Sequence, residues 1–178
     1  GLGDVYKRQF FNLSSKHPDW RFLIAPRHPG RLNRLRFFYA KNSIDVQYFS
    51  SGFKPGYSRT VFLMDETGYL PTLYRLADAV FVGGSLVPCG GHNIIEPAFF
   101  KKAIMIGEHY KNFEEIVVEF LRYNALVILK NSSLLTSLDN IFSNARLREE
   151  YGNRAYKVIE RNSGGMDKVS NFINSEFL

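Results

Sequence analysis

Gly83, Gly84 and Ser85, followed by His92, Asn93 and Glu96, are the residues whose types and spacing best suit chemistry. They lie within VFVGGSLVPCGGHNIIEP, residues 80–97, an apolar run that passes through two glycine pairs into an apolar and acidic segment. Such a stretch reads as a buried strand, a glycine-rich loop and the first turn of a helix. Glycine lets a backbone approach a ligand closely, and a helix N-terminus offers unpaired N–H groups to an anion. The chemistry implied is the holding of a phosphate-bearing ligand over the carboxyl end of a parallel sheet. Gly83, Gly84 and Ser85 form the expected cradle. His92, Asn93 and Glu96 fall on about one helical turn, where Glu96 can accept two hydrogen bonds from a ribose diol.

A second set follows the apolar run RFLIA at 21–25, in the loop PRHPGR. Arg27 and Arg31 can fork onto a carboxylate or phosphate, and His28 can hydrogen-bond a ligand or hold the turn. Other chemistries fit less well. His92 and Glu96 have a helix-compatible spacing, with His109 further on, but no His-Glu-x-x-His is present and the glycine loop argues for an organic anion, so no metal is expected. Gly-Gly-Ser-Leu-Val is not the elbow of a serine nucleophile. The loop lacks the lysine of a Walker motif. Cys89 is the single cysteine, which rules out an internal disulfide, and the loop is explained without a catalytic thiol.

The elements that must position these residues alternate. Strands are expected at 21–25, 45–49, 61–64, 79–82, 103–106 and 125–129. Helices are expected at 32–41, 69–77, 94–101, 113–123 (capped by Asn112 or a neighbour), from Ser132-Ser133 toward Asn144, and at 146–161. A helix end is expected at 10–16, a loop at 50–58 and a last helix at 166–177. Strand–helix alternation with short connections argues for an α/β fold, a Rossmann-like parallel sheet of about six strands with helices on both faces. Residues 1–9 read as a tail or foreign junction, 10–163 as the nucleotide-binding domain, and 164–178 as a C-terminal helical segment.

The 178 residues carry 45% hydrophobic side chains, enough for a core and too many for a disordered chain. A net charge of +6 favours anionic partners. The basic residues are dispersed along the chain and no RNA-binding motif is visible, so nucleic acid is not expected. No apolar run approaches the ~18 residues of a spanning helix.

Taken in order, the motifs resemble the C-terminal half of the 3-deoxy-D-manno-octulosonic acid (Kdo) transferases. They are Pro26-Arg27-His28-Pro29 with Arg31; Asp65, Gly68 and Leu70; Leu73-Tyr74 and Ala77-Asp78; Phe81-Val82-Gly83-Gly84-Ser85-Leu86; Gly90-Gly91-His92-Asn93 with Glu96-Pro97-Ala98; then Gly107, Asn112-Phe113 and Glu115-Ile116. A weaker match follows at Asn162 and Gly164. Gly30 stands where the family usually has Glu, and Tyr69 where it usually has the Glu of Gly-Glu-Leu.

The resemblance implies the donor-binding half of a GT-B fold and an inverting transfer of Kdo from CMP-Kdo to a lipid A precursor. It implies no cofactor or metal, and action at the cytoplasmic face of the inner membrane through a peripheral contact. Gly83, Gly84 and Ser85 would face the CMP phosphate, and Asn93 and Glu96 the nucleoside. Arg27 would face the phosphate or the Kdo carboxylate. The general base would come from an N-terminal domain, leaving no catalytic residue in this chain. Two alternatives stay open: another GT-B enzyme, of the UDP-sugar transferase or UDP-GlcNAc 2-epimerase type, and a non-catalytic α/β binding module.

Overall fold

The computed structural model describes residues 13, 16, 17, 19–52, 60–130 and 132–162. The tail at 1–9, most of the helix end at 10–16, most of the loop at 50–58 and the segment 164–178 with its helix lie outside the described residues. The chain divides into two compact units, residues 1–69 and 70–178.

In the first unit, β1 (Phe22–Ile24), β2 (Asp45–Tyr48) and β3 (Thr60–Leu63) form a parallel sheet in the order β1-β3-β2. All four residues of β3 are buried, as a central parallel strand requires. Helix α1 (Leu32–Lys41) runs between β1 and β2 in sequence. Tyr39, 1% exposed, anchors its inner face. The helix ends where Asn42 donates its Nδ2 proton to Phe38 O at 2.7 Å and Ser43 takes a left-handed φ of 55°.

In the second unit, β4 (Ala79–Phe81), β5 (Ala103–Gly107) and β6 (Val127–Leu129) are parallel in the order β4-β5-β6. Val80 lies opposite Ile104, and Ile106 opposite Ile128. Helices α2 (Leu70–Leu76), α3 (Ile95–Phe99), α4 (Glu114–Arg122), α5 (Leu134–Ser143) and α6 (Ala145–Arg161) complete the unit. The core joins Ile94 and Ala98, Ile104 and Ile106, Val117 and Phe120, and Val158 of α6. Full burial of each large apolar side chain contributes about 1.5–3 kcal/mol. Helix α6 starts at Asn144, whose Oδ1 accepts from Leu147 N at 3.0 Å. It passes close to the end of α3: a β-carbon on Gly152 would lie 2.0 Å from Lys101 O.

Among the described residues the parallel α/β class and six strands are as expected, but the strands form two sheets of three rather than one of six. β3 already has a neighbour on each side, as does β5. A single sheet would need edge strands to pair, and among the described residues none of them do.

Candidate functional site

The strand β4 ends at Phe81, and Val82 N still donates to Met105 O at 2.9 Å. The chain then turns at Gly83-Gly84. Ser85 points inward and is 1% exposed. Its Oγ donates to Val82 O at 2.8 Å and accepts from Gly107 N at 2.8 Å, while its carbonyl accepts from His109 N at 2.7 Å. The hydroxyl thus carries the β4–β5 ladder one step beyond its last paired residues. A hydroxyl has one proton to donate, and Ser85 has committed it to the protein. Any contact between this part of the loop and an anion therefore falls to backbone N–H groups, which narrows the cradle expected at Gly83, Gly84 and Ser85.

Gly84, Gly90 and Gly91 adopt φ of 74°, 83° and 79°, a region open to glycine and strained for other residues. Gly91 N donates to Gly84 O at 2.9 Å and closes the loop on itself. The half-buried His92 packs its imidazole over Gly84, where a β-carbon would lie 3.0 Å from Nε2. The sequence expectation is a cap on the following helix from Asn112 or a neighbour. Neither supplies one: residues Lys111–Phe113 form a 3-10 turn, and α4 has no side-chain cap. The Asn112 side chain instead occupies the space beside Gly90, 2.2 Å from where a β-carbon would stand, and Asn112 N donates to Gly90 O at 3.1 Å. Asn112, Gly107 and His109 thus hold the loop from the β5 side. The sequence offered Gly107 and Asn112 as motif positions and His109 only as a rejected metal ligand, without showing what they hold.

Beyond the loop, Asn93 Oδ1 accepts from Ile95 N at 2.9 Å, and its Nδ2 donates to Glu96 Oε1 at 3.5 Å. Helix α3 is five residues long, shorter than the 94–101 expected, because Phe100 leaves the helical region and Lys101 takes φ 53°. So short a helix has little macrodipole. An anion placed here would meet oriented N–H groups rather than a helix dipole. Glu96 is half-buried. Burial pushes its carboxyl above the ordinary value, and the Asn93 hydrogen bond partly offsets this. Tyr74 on α2 belongs to the same neighbourhood: burial, then the Glu96 charge, raises its phenol well above its usual range. Its ring lies 6.0 Å from that of Phe100.

The structure brings Gly83, Gly84, Ser85, His92, Asn93 and Glu96 together in the second unit. Arg27, His28 and Arg31 belong to the first, exposed in the loop that leaves the carboxyl end of β1. Arg31 N donates to His28 O at 3.0 Å, tightening that loop. At the carboxyl ends of β2 and β3, Ser50 donates to Asp65 through its N–H at 3.0 Å and its hydroxyl at 2.5 Å. The Ser50 hydroxyl holds the Asp65 carboxyl below its ordinary value, against a smaller opposing effect of burial. Tyr69 stands beside Phe49, ring centres 5.0 Å apart. Among the described residues, no group of three or more His, Cys, Asp or Glu is placed to hold a metal ion.

Three comparisons bear on this arrangement. No protein-family model matches the chain. A 3-deoxy-D-manno-octulosonic acid transferase of Haemophilus influenzae is 31% identical over 171 residues, 95% of this chain and 40% of that protein. A probable mitochondrial 3-deoxy-D-manno-octulosonic acid transferase of Arabidopsis thaliana is 29% identical over 153 residues, 83% of this chain and 34% of that protein. The chain thus spans about 40% of the length of the Haemophilus relative. Among solved structures, the C-terminal CMP-Kdo binding domain of WaaA from Acinetobacter baumannii superposes with a TM-score of 0.78 at 28% identity, covering 85% of this chain and 80% of that one. The glycine loop with its Asn93–Glu96 pair, the parallel α/β architecture and these similarities agree: the chain belongs to the 3-deoxy-D-manno-octulosonic acid transferase family and corresponds to its C-terminal domain.

Proposed function

We propose that this domain holds CMP-Kdo for an inverting transfer of Kdo to a lipid A precursor at the cytoplasmic face of the inner membrane. One observation carries the reading most directly. A glycine loop already closed by Gly91 N on Gly84 O leads within a few residues to the Asn93–Glu96 pair. A nucleoside monophosphate ester presents the matching groups: a phosphate for backbone N–H groups at Gly83–Ser85, and a ribose diol for the Glu96 carboxylate. Asn93 holds that carboxylate, and the His92 imidazole fixes the Gly84 turn.

As the sugar leaves, charge gathers on the CMP phosphate. N–H groups fixed in advance stabilise that charge more than they stabilise the bound donor. Arg27, with His28 and Arg31 on the same loop, supplies positive charge for the phosphate or the Kdo carboxylate. The base that activates the acceptor comes from outside these residues, so the chain alone binds donor without transferring sugar.

Calorimetric titration of the chain with CMP, UDP and GDP tests the reading. Preference for CMP is expected. Preference for UDP, or no saturable binding of any of the three, overturns it, and so does Kdo transfer to a lipid A precursor by this chain alone.

A further inference from the structure

The net positive charge of the chain is not spread evenly. From Trp20 to Ile44 there are six basic residues, Arg21, Arg27, Arg31, Arg34, Arg36 and Lys41, and no acidic one. The chain has 23 basic and 17 acidic residues, so everything outside this stretch is electrically balanced. The other 17 basic residues are dispersed along the chain and matched in number by the acidic ones, so the whole excess lies in the one stretch that includes α1.

Helix α1 gives that charge a shape. Its inner side buries Tyr39. Its outer side carries Arg34, Phe37 and Lys41 at spacings of three and four, which place them along one line of the helix. Arg36, next to Phe37 in sequence, lies about 100° round the helix from it, and all three cations are exposed. None of the three forms an ion pair among the described residues. Phe37, in their midst, is 71% exposed. An apolar ring standing in water loses the favourable transfer that burial would give it. Three cations on the same helix disfavour a purely apolar partner and any basic one.

We propose that the outer face of α1 docks on an anionic lipid surface, with Phe37 entering the interfacial layer and Arg34, Arg36 and Lys41 meeting headgroup phosphates. A helix with an aromatic ring between basic side chains suits a membrane plane, and long basic side chains reach headgroups while their stems lie along apolar surface. Nucleic acid shares the charge. A phosphate backbone alone, however, gives the outward Phe37 no apolar environment. The proposal rests on the reading of a lipid-linked acceptor only for its biological sense; the surface itself is argued from charge and exposure.

Co-sedimentation of the full chain with vesicles tests it, using phosphatidylcholine alone and phosphatidylcholine doped with phosphatidylglycerol, at low and high salt. Expected is binding to the anionic vesicles only, weakened by salt. Each surface charge is worth about fivefold in affinity, so Arg34→Ala with Lys41→Ala reduces binding roughly 25-fold. Phe37→Ala is expected to reduce it at every salt concentration. Circular dichroism melts of the variants are expected to match the parent, since all three side chains are exposed. Equal binding to both vesicle types, or none to the anionic ones, overturns the proposal. So does a single-stranded RNA oligonucleotide that binds as tightly as the anionic vesicles and loses binding in the same double variant. A chain that binds CMP but no vesicle sinks the docking surface alone; one that binds vesicles but not CMP sinks the donor reading alone.

Discussion

Ser85→Ala separates two roles for the hydroxyl at the head of the glycine loop. In the structure the hydroxyl serves the protein: it donates to Val82 O and accepts from Gly107 N, both at 2.8 Å. Removing it leaves a buried N–H and a buried carbonyl without that partner. Each such loss costs about 1–3 kcal/mol. Partial relaxation of the loop brings the expected total to about 2–4 kcal/mol, a large part of the stability of a typical domain. Urea unfolding followed by far-UV circular dichroism suits the measurement, because the single tryptophan, Trp20, lies in the first unit and reports on that unit. CMP affinity is measured in parallel, well below the unfolding transition. The reasoning is refuted if stability stays within about 0.5 kcal/mol of the parent while CMP affinity falls tenfold or more. That outcome would mean that the hydroxyl faces the phosphate and not the strand ends.

Gly152→Ala should destabilise the second unit by about 2 kcal/mol, against the gain of about 1 kcal/mol that alanine normally brings to a helix interior. The added carbon would meet the Lys101 carbonyl, which is backbone and cannot rotate away; a stabilised variant in urea unfolding would contradict the close approach. Glu96→Gln should weaken CMP binding by about 1.5–3 kcal/mol, the range for hydrogen bonds to a charged group, as read by calorimetry. The same variant should show a pH signature. The folded carboxyl is raised above its ordinary value, so its contribution to stability is full below that ordinary value and is lost as pH rises through the raised one. Glu96→Gln should therefore be the more stable protein at neutral pH, and the difference should vanish in acid. A stability difference independent of pH would refute this.

What the sequence disclosed follows from how local each feature is. Helix α1 was legible at both ends, because its apolar spacing stops at Asn42-Ser43. Strand β5 was legible because a central parallel strand, buried throughout, is apolar without alternation. The glycine pairs announced a loop that needs left-handed backbone. The division into two sheets was hidden, since pairing depends on partners tens of residues away. Ser85 stood beside two glycines and read as part of a ligand cradle; the donor that its hydroxyl serves lies 22 residues further along the chain. Asn112, just before a run of acidic and apolar residues, had the type and place of a helix cap. Its contact with Gly90 depends on how the segment leaving β5 passes beneath the loop, which no local pattern encodes.

The loop from Gly84 to Gly91 is fastened at Gly84, Ser85, Gly90 and Gly91 by its own backbone or by residues 107–112. A loop fastened in this way has spent its conformational entropy during folding. A ligand arriving there has little chain left to order, whereas ordering a loose loop costs about 0.5–1.5 kcal/mol for each immobilised side chain. The loop therefore belongs thermodynamically with the core, and under the proposed function its order is already in place when a phosphate arrives.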